Sequence, residues 1–574
     1  MSFNNSMYDK KTAGILAPLF ALRGKEDLGI GDTAALAEMI VWVAEHGFQA
    51  LQMLPINETS SNNSPYEILS AMALEPSTIT THPDWLEDLT QEDYRAILER
   101  YDVEKMVEGN VHYCLVKKCK QELLNAAWSR FVLREAQDKH LRDYQCFQKE
   151  ESYWLADYTL YRALLERHDN QEDFSTWNPC TQNADSAKRW LTTLPKHEYL
   201  SFEKRRDFFS YVQWIAITQW KKVFAIASSQ GVLLIGDIPT GVHVASADVF
   251  SKSDLFDIEN LGGAPPEKIF QSDPFTMRWG QNWGIPLYKW DSMEKDNFQW
   301  WRHRIRFLRS FFHILRIDHA LGLFRIYSFP WPPKMNDEFM LLTQEEALKK
   351  TEGILPHFVD YADDTPEHAS YNKERGSRLL SIFQQEAGKY QLIAEDLGEV
   401  PPYVPDVLKK LEIPGFKIPL WIRDKENKMI PARDYPIISV ATYATHDHHP
   451  FRKQWEMWQH DIREKKSLAP GAEKTIRELL FFIDLPDLDP LTPYEGKIHQ
   501  ALLKTLYESG SWLVIVMITD LLGLTQIFNN PGNLTNSNWV ARIPLSINSW
   551  NEKHTTTLAS LDKALQESGR FRKV

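Results

Sequence analysis

The sequence predicts an α/β protein built as a (β/α)8 TIM barrel carrying inserted helical subdomains. Three observations point there: short apolar runs ending in polar or charged residues recur along the 574 residues, longer amphipathic stretches separate them, and eight such runs can be counted. Eight parallel strands joined by helical crossovers close into a barrel whose reactive face lies at the strands' C-terminal ends.

The eight predicted strands are 15–19, 50–55, 232–237, 312–318, 392–396, 416–421, 437–443 and 513–520. Between the first two, Asp32 caps a helix running from Thr33 to about His46, with Leu36, Met39, Ile40 and Val43 on one face and Gly47 ending it. Residues 85–209, rich in Lys, Glu, Trp and Tyr, read as an inserted, mainly helical subdomain, so the barrel takes 12–84 and 210–550. Residues 332–389, partly acidic around DYADD, are expected to be a second insertion shaping one wall of the cleft. The charged helical stretch 551–574 is expected on the solvated surface, with no C-terminal β-sandwich domain.

Composition bounds the partners. A formal charge of -13 argues against nucleic acid, whose phosphates need clustered Lys and Arg. The N-terminal MSFNNSMYDKK has no apolar core and no apolar run approaches a membrane span, so a cytoplasmic location is expected. Cys114, Cys119, Cys146 and Cys180 show neither C-x-x-C nor zinc spacing and read as free thiols. Aromatic residues, 12% of the chain, suit either sugar platforms or a large core.

Three predicted strand ends carry acids: RIDH with Asp318, AEDLG with Glu395 and THD with Asp447. Any one of them can be an ordinary helix cap. Together, on strands four, five and seven, they converge over one mouth of the barrel, which is what retaining glycoside chemistry needs. One carboxylate attacks the anomeric carbon while a second, kept neutral, protonates the leaving oxygen. Arg316, two residues before Asp318 and on the same strand face, would hold that carboxylate ionised or form a plain barrel salt bridge.

The chain resembles the 4-α-glucanotransferases of glycoside hydrolase family 77, also called amylomaltases or disproportionating enzymes, over about residues 12–545. The motifs are GIGD (29–32), SPYEILSA (64–71), GDIP (236–239), SADVF (246–250), GAPPE (263–267), GQNWGIPLYKWD (280–291), RIDH (316–319), AEDLG (394–398), THD (445–447) and DLLGL (520–524). The resemblance implies Asp318 as nucleophile, Glu395 as acid/base and Asp447 as the acid that holds sugar hydroxyls and favours ring distortion. It implies sugar contacts for Tyr66 and His446, a cleft-facing Asp237, and a covering loop with Gln281 and Trp283, the latter equally readable as a buried Trp under a glycine turn. It implies maltooligosaccharides, glycogen or other α-1,4-glucans as substrates and no cofactor. HDHH (446–449) lacks zinc spacing, and no metal is expected.

The chain departs from the common bacterial pattern. Where a Tyr-Phe pair is usual, EKIFQSDPFTMRW places Lys268 and Ile269 before Phe270, leaving Phe275 or Trp279 as candidate acceptor platforms. His448 replaces an asparagine, and Ile527 replaces an arginine. ALGLFRIYSFP after RIDH resembles the second type of disproportionating enzyme, which uses maltose and a branched acceptor; the preceding starch-binding modules of the plant members are not expected here. The alternatives are an α-amylase-like hydrolase using the same acids, and a catalytically silent glucan-binding protein.

Overall fold

The computed structural model describes residues 7–266, 273–531 and 537–572. Eight parallel strands make one sheet: β1 (Thr12–Leu16), β2 (Ala50–Gln52), β3 (Leu233–Ile238), β4 (Ile314–Ile317), β5 (Leu392–Ala394), β6 (Gly415–Lys417), β7 (Ser439–Ala441) and β8 (Leu513–Met517). Their order, β6-β7-β8-β1-β2-β3-β4-β5, runs once round a ring. Across the remaining seam, Ala394 N–H donates to Pro414 O at 2.9 Å. Each predicted run overlaps one strand, and the fold is the expected (β/α)8 barrel. The strands stop short of most predicted C-terminal ends because the residues there leave the ladder to build the reactive face. At β1 the stop is set by Pro18, which has no N–H to extend a ladder.

The first crossover helix, α1 (Thr33–Glu45), begins at Asp32, whose side chain accepts from Ala34 N–H and Ala35 N–H. Leu36, Met39, Ile40 and Val43 are all buried, as their spacing requires. Between β2 and β3, helices at Tyr113–Phe131, Lys139–Glu150 and Leu155–Arg167 pack beside α2 (Lys196–Gln230). α2 is continuous through residues 209 and 210, so one 35-residue helix belongs both to the helical insertion and to the barrel's outer ring. From it, Gln213 clamps Leu74 through both backbone groups at 2.8 and 2.9 Å, and Gln219 clamps Thr80 likewise at 2.9 Å. Each buried amide acts as a neighbouring strand would, fixing the long loop after β2 that carries Tyr66.

Unforeseen in the sequence is a second sheet of four antiparallel strands, in spatial order Gln281–Tyr288, Phe256–Ala264, Ile326–Phe329 and His357–Val359. It has its own small core of Trp279, Phe329, Trp331, Phe339 and Ala347. Register shifts interrupt the pairing of Gln281–Tyr288 with Phe256–Ala264, which erases the alternation that marks a strand in sequence. The stretch 332–389 is accordingly not insertion throughout: it ends in α4 (Pro366–Ala387), a barrel crossover packed on α3 (Gln299–Arg309). Trp301 stacks on Phe383 at 4.5 Å there, and Glu386 binds Arg302 and Arg306, each at 2.5 Å.

The tail is likewise not a solvated surface. The helix α5 (Thr555–Glu567) buries Leu558, Leu561, Ala564 and Leu565, a stripe that its charged residues obscure. Beyond it Arg570, 1% exposed, donates to the carbonyls of Tyr507, Thr12, Trp512, Ser509 and Ser511 at 2.6–3.0 Å. Five N–H donors meet five acceptors, which satisfies a buried guanidinium without a carboxylate. Among the described residues, no helix is long and apolar enough to cross a membrane.

Candidate active site

The parallel register of β3 with β4 sets Asp237 opposite Arg316. Arg316 Nη1 donates to Asp237 Oδ1 and Oδ2 at 2.6 and 2.5 Å and to Asp318 Oδ1 at 3.0 Å. Tyr66 O–H donates to Asp237 Oδ2 at 2.7 Å. Asp237 does not face the cleft, as the sequence reading had it, because Arg316 and Tyr66 close over it and leave its side chain 0% exposed. Burial pushes the Asp237 carboxyl up against the opposing pull of Arg316. Burial also works against the Arg316 charge, but Asp237 and Asp318 outweigh it and hold the guanidinium protonated. Asp318 is part-exposed, at 21% of its side chain. Thr240, in the turn after β3, donates from Oγ1 to Asp318 O at 2.7 Å and lies 3.3 Å from Asp318 Oδ2.

Glu395 follows β5 and is 9% exposed. His319 N–H donates to its Oε2 at 2.7 Å, and Leu397 N–H reaches Oε1 at 3.3 Å. Burial raises its carboxyl to about 8, with Arg316 pulling down and Asp318 pushing up. Asp318 and Glu395 thus share one wall, one paired to a guanidinium and the other kept neutral.

Asp447 lies after β7. Its Oδ1 accepts from Asn529 Nδ2 at 2.7 Å, and His446 Nε2 lies 3.1 Å from its Oδ2. Burial alone would raise this carboxyl, but His446, Asn529 and His448 together hold it well below the usual range. The His446 ring stacks on Tyr66 at 5.0 Å and 11°, and neither of its nitrogens makes a hydrogen bond of good geometry among the described residues. His448 Nδ1 accepts from Thr445 N–H at 3.1 Å, and burial lowers this imidazole to about 4. The HDHH run is therefore dispersed: one ring on Tyr66, one on the Thr445 turn. Among the described residues no three His, Cys, Asp or Glu groups gather to hold a metal ion.

Gln281 and Trp283 open a strand of the second sheet, and Trp283 reaches His319, the residue after Asp318. Trp283 Nε1 donates to Gln281 Oε1 at 3.2 Å, and its ring meets His319 edge-on at 4.8 Å. Trp283 is half-buried rather than sealed in a core. Of the two candidate acceptor platforms, Trp279 is excluded: it is 6% exposed and packs edge-on against Trp331 in the second core. Phe275 packs on Phe329 at 6.3 Å. Lys268, Ile269 and Phe270 lie outside the described residues.

The structure thus gathers Asp318, Glu395, Arg316, Asp237 and Tyr66 around β3 to β5, with Asp447 and His446 joined through Tyr66. Thr240, His319, Asn529 and Trp539 belong to the same constellation and were not singled out in the sequence. His319 sits inside RIDH and so lay within a recognised segment; Asn529, and Trp539, 5.8 Å from Tyr66 and 6.0 Å from His446, lie outside every motif named above.

The family model for 4-alpha-glucanotransferases, glycoside hydrolase family 77, matches residues 17–547. A 4-alpha-glucanotransferase of Chlamydia caviae is 30% identical over 546 residues, 93% of this chain and 91% of its own. The 4-alpha-glucanotransferase DPE2 of Oryza sativa subsp. japonica is 31% identical over 323 residues, 55% of this chain and 32% of its own. An amylomaltase from Streptococcus agalactiae, solved in complex with acarbose, shares the fold with a TM-score of 0.74 at 22% identity, over 98% of this chain and 100% of that one. With the family model spanning nearly the whole barrel, this chain belongs to the 4-α-glucanotransferases of glycoside hydrolase family 77.

Proposed function

We propose that this transferase moves α-1,4-glucan segments by a retaining double displacement in which Asp318 is the nucleophile and Glu395 the general acid/base. The observation that carries the reading is the contrast in surroundings: Glu395 is buried and raised to about 8, whereas Asp318 is part-exposed and paired to Arg316 at 3.0 Å. A buried, protonated carboxyl beside one paired to a guanidinium is what an acid and a nucleophile require at neutral pH. Asp318 attacks the anomeric carbon as Glu395 protonates the departing glucan oxygen. Glu395, now ionised, takes the proton of an incoming sugar 4-hydroxyl, which displaces the Asp318 ester.

Asp447, ionised and held by Asn529 and by the neighbouring His446 ring, accepts hydrogen bonds from hydroxyls of the reacting sugar. Tyr66 gives that sugar a ring face, while Asp237 keeps Tyr66 and Arg316 in place. Gln281 and Trp283 cover the bound glucan, excluding water so that a sugar outcompetes it as acceptor. Substrates are maltooligosaccharides or glycogen-type glucans; the acarbose bound by the streptococcal relative supports an α-linked oligosaccharide in this cleft. All four cysteines are free, two of them exposed, which suits a reducing cytoplasm.

The test is to incubate the protein with maltotriose, without added metal, and resolve products by chain length beside Asp318→Asn. Glucose plus a ladder of longer oligosaccharides, lost in the variant, supports the mechanism. Only shorter products would indicate a hydrolase. An active Asp318→Asn enzyme would remove Asp318 from its role.

A further inference from the structure

His319 has a backbone in the left-handed region, φ 43° and ψ 53°, where few residues bearing side chains settle and where His is among the enriched types. This turn comes immediately after Asp318 and aims the His319 N–H at Glu395 Oε2, 2.7 Å away, while Ala320 N–H binds Glu395 O at 2.9 Å. The imidazole is half-buried, wedged over Gly322, where an added Cβ would stand 2.9 Å from His319 Cδ2, and is met edge-on by Trp283 at 4.8 Å. One residue therefore adjoins the nucleophile through the chain, the acid/base through its amide and the covering loop through its ring.

A neutral carboxylic acid that accepts a short N–H bond on one oxygen carries its proton on the other. Among the described residues, Oε1 has only the 3.3 Å approach of Leu397 N–H. We propose that His319 is a positioning residue whose left-handed turn fixes Glu395 with its proton on Oε1, the oxygen that serves both steps. In the first, this proton passes to the glucosidic oxygen as that bond to the anomeric carbon breaks and the bond to Asp318 forms. In the second, the acceptor hydroxyl returns a proton to Oε1 as its oxygen displaces Asp318. The proposal rests on Glu395 as acid/base. The charges around Glu395 are Arg316 and Asp318 from β4 and the adjoining Asp396; the first lowers and the other two raise its carboxyl, and the His319 N–H lowers it.

The test compares His319→Asn, which keeps the left-handed turn, with His319→Val, whose branched Cβ resists it. Each is assayed with maltotriose and with α-maltosyl fluoride, whose leaving group needs no proton. The expected result is that His319→Val loses at least roughly tenfold more kcat on maltotriose than on the fluoride. Its alkaline limb should also move up by roughly half a pH unit or more, because a bond that favours the carboxylate has gone, while His319→Asn shows neither change. A merely structural role lowers the folded fraction and scales both donors alike. Equal losses on both donors, or Asn and Val variants that behave alike, would overturn the proposal. If His319→Val does not fold, His319→Ala, which resists the left-handed region less, replaces it under the same criteria. Glu395→Gln must itself split the two donors; if it does and the His319 variants do not, only the His319 proposal falls, and if it does not, the acid/base assignment falls first.

Discussion

Replacing Glu395 by Gln should raise the melting temperature at alkaline pH while it abolishes transfer from maltotriose. Glu395 is 9% exposed, and burial moves its carboxyl from the ordinary 4.5 to about 8. A carboxyl raised in the folded state contributes stability that is whole below the unfolded value and is lost as pH climbs through the folded one. At roughly 1.4 kcal/mol per unit, the gap between 4.5 and about 8 corresponds to roughly 5 kcal/mol lost by alkaline pH. Glutamine has the same shape and no charge, and its carbonyl oxygen can keep the 2.7 Å bond from His319 N–H. With an unfolding entropy of roughly 2 cal/mol/K per residue, 574 residues give roughly 1.2 kcal/mol/K, so the gain is roughly 4 °C at pH 9 and under about 1 °C at pH 5. Calorimetric scans of both proteins at the two pH values measure it. A gain of equal size at both, or a loss at pH 9, would show that Glu395 is not a buried neutral acid.

Arg316→Met leaves Asp237 with Tyr66 as its hydrogen-bond partner among the described residues and removes the guanidinium bonded to Asp318, a loss of about 3–5 kcal/mol, or roughly 3 °C at pH 7. Since the Asp237 carboxyl then rises further, the deficit should shrink as pH falls; a calorimetric drop independent of pH contradicts the pairing. Asn529→Ala removes the 2.7 Å donor to Asp447, and kcat/KM for maltotriose should fall about tenfold or more with a melting temperature within about 1 °C; unchanged kcat/KM would detach Asn529 from the site. Arg570→Met removes five hydrogen bonds to carbonyls beneath the barrel and should lower the melting temperature by roughly 3 °C with kcat per folded enzyme unchanged; an unaltered thermal transition refutes that anchoring role.

What could be read from the sequence was what local patterning encodes. The barrel strands, buried on both faces, read as continuous apolar runs, and α1 declared itself through Asp32 and one apolar face. The second sheet was invisible because its strands are irregular and pair across segments separated by a whole crossover. α5 was misplaced because charge along its outer face masked four buried positions. At the site, Asp318, Glu395 and Asp447 could be named from strand ends, but the burial of Asp237 depends on Tyr66, 171 residues earlier, and the link of Asp447 to Asn529 spans 82 residues. His319 escaped notice for a different reason: its part is played by the amide of a left-handed turn, a property of backbone conformation that the letter H does not announce.

The seam between β1 and β8 has a consequence for how the enzyme is made. Thr12 pairs with Leu513, so β1 leaves the ribosome roughly 500 residues before its partner, a wait of roughly 25–100 s at ordinary rates of synthesis. For that interval one edge of β1 is unpaired, an open template for another strand. β2 and α1 follow β1 directly and can shield its other edge and one face early, since their contacts are local. The free edge must be guarded in the nascent chain until β8 emerges, and Asn529 follows β8, so the ring and the reactive centre are completed together, late in translation.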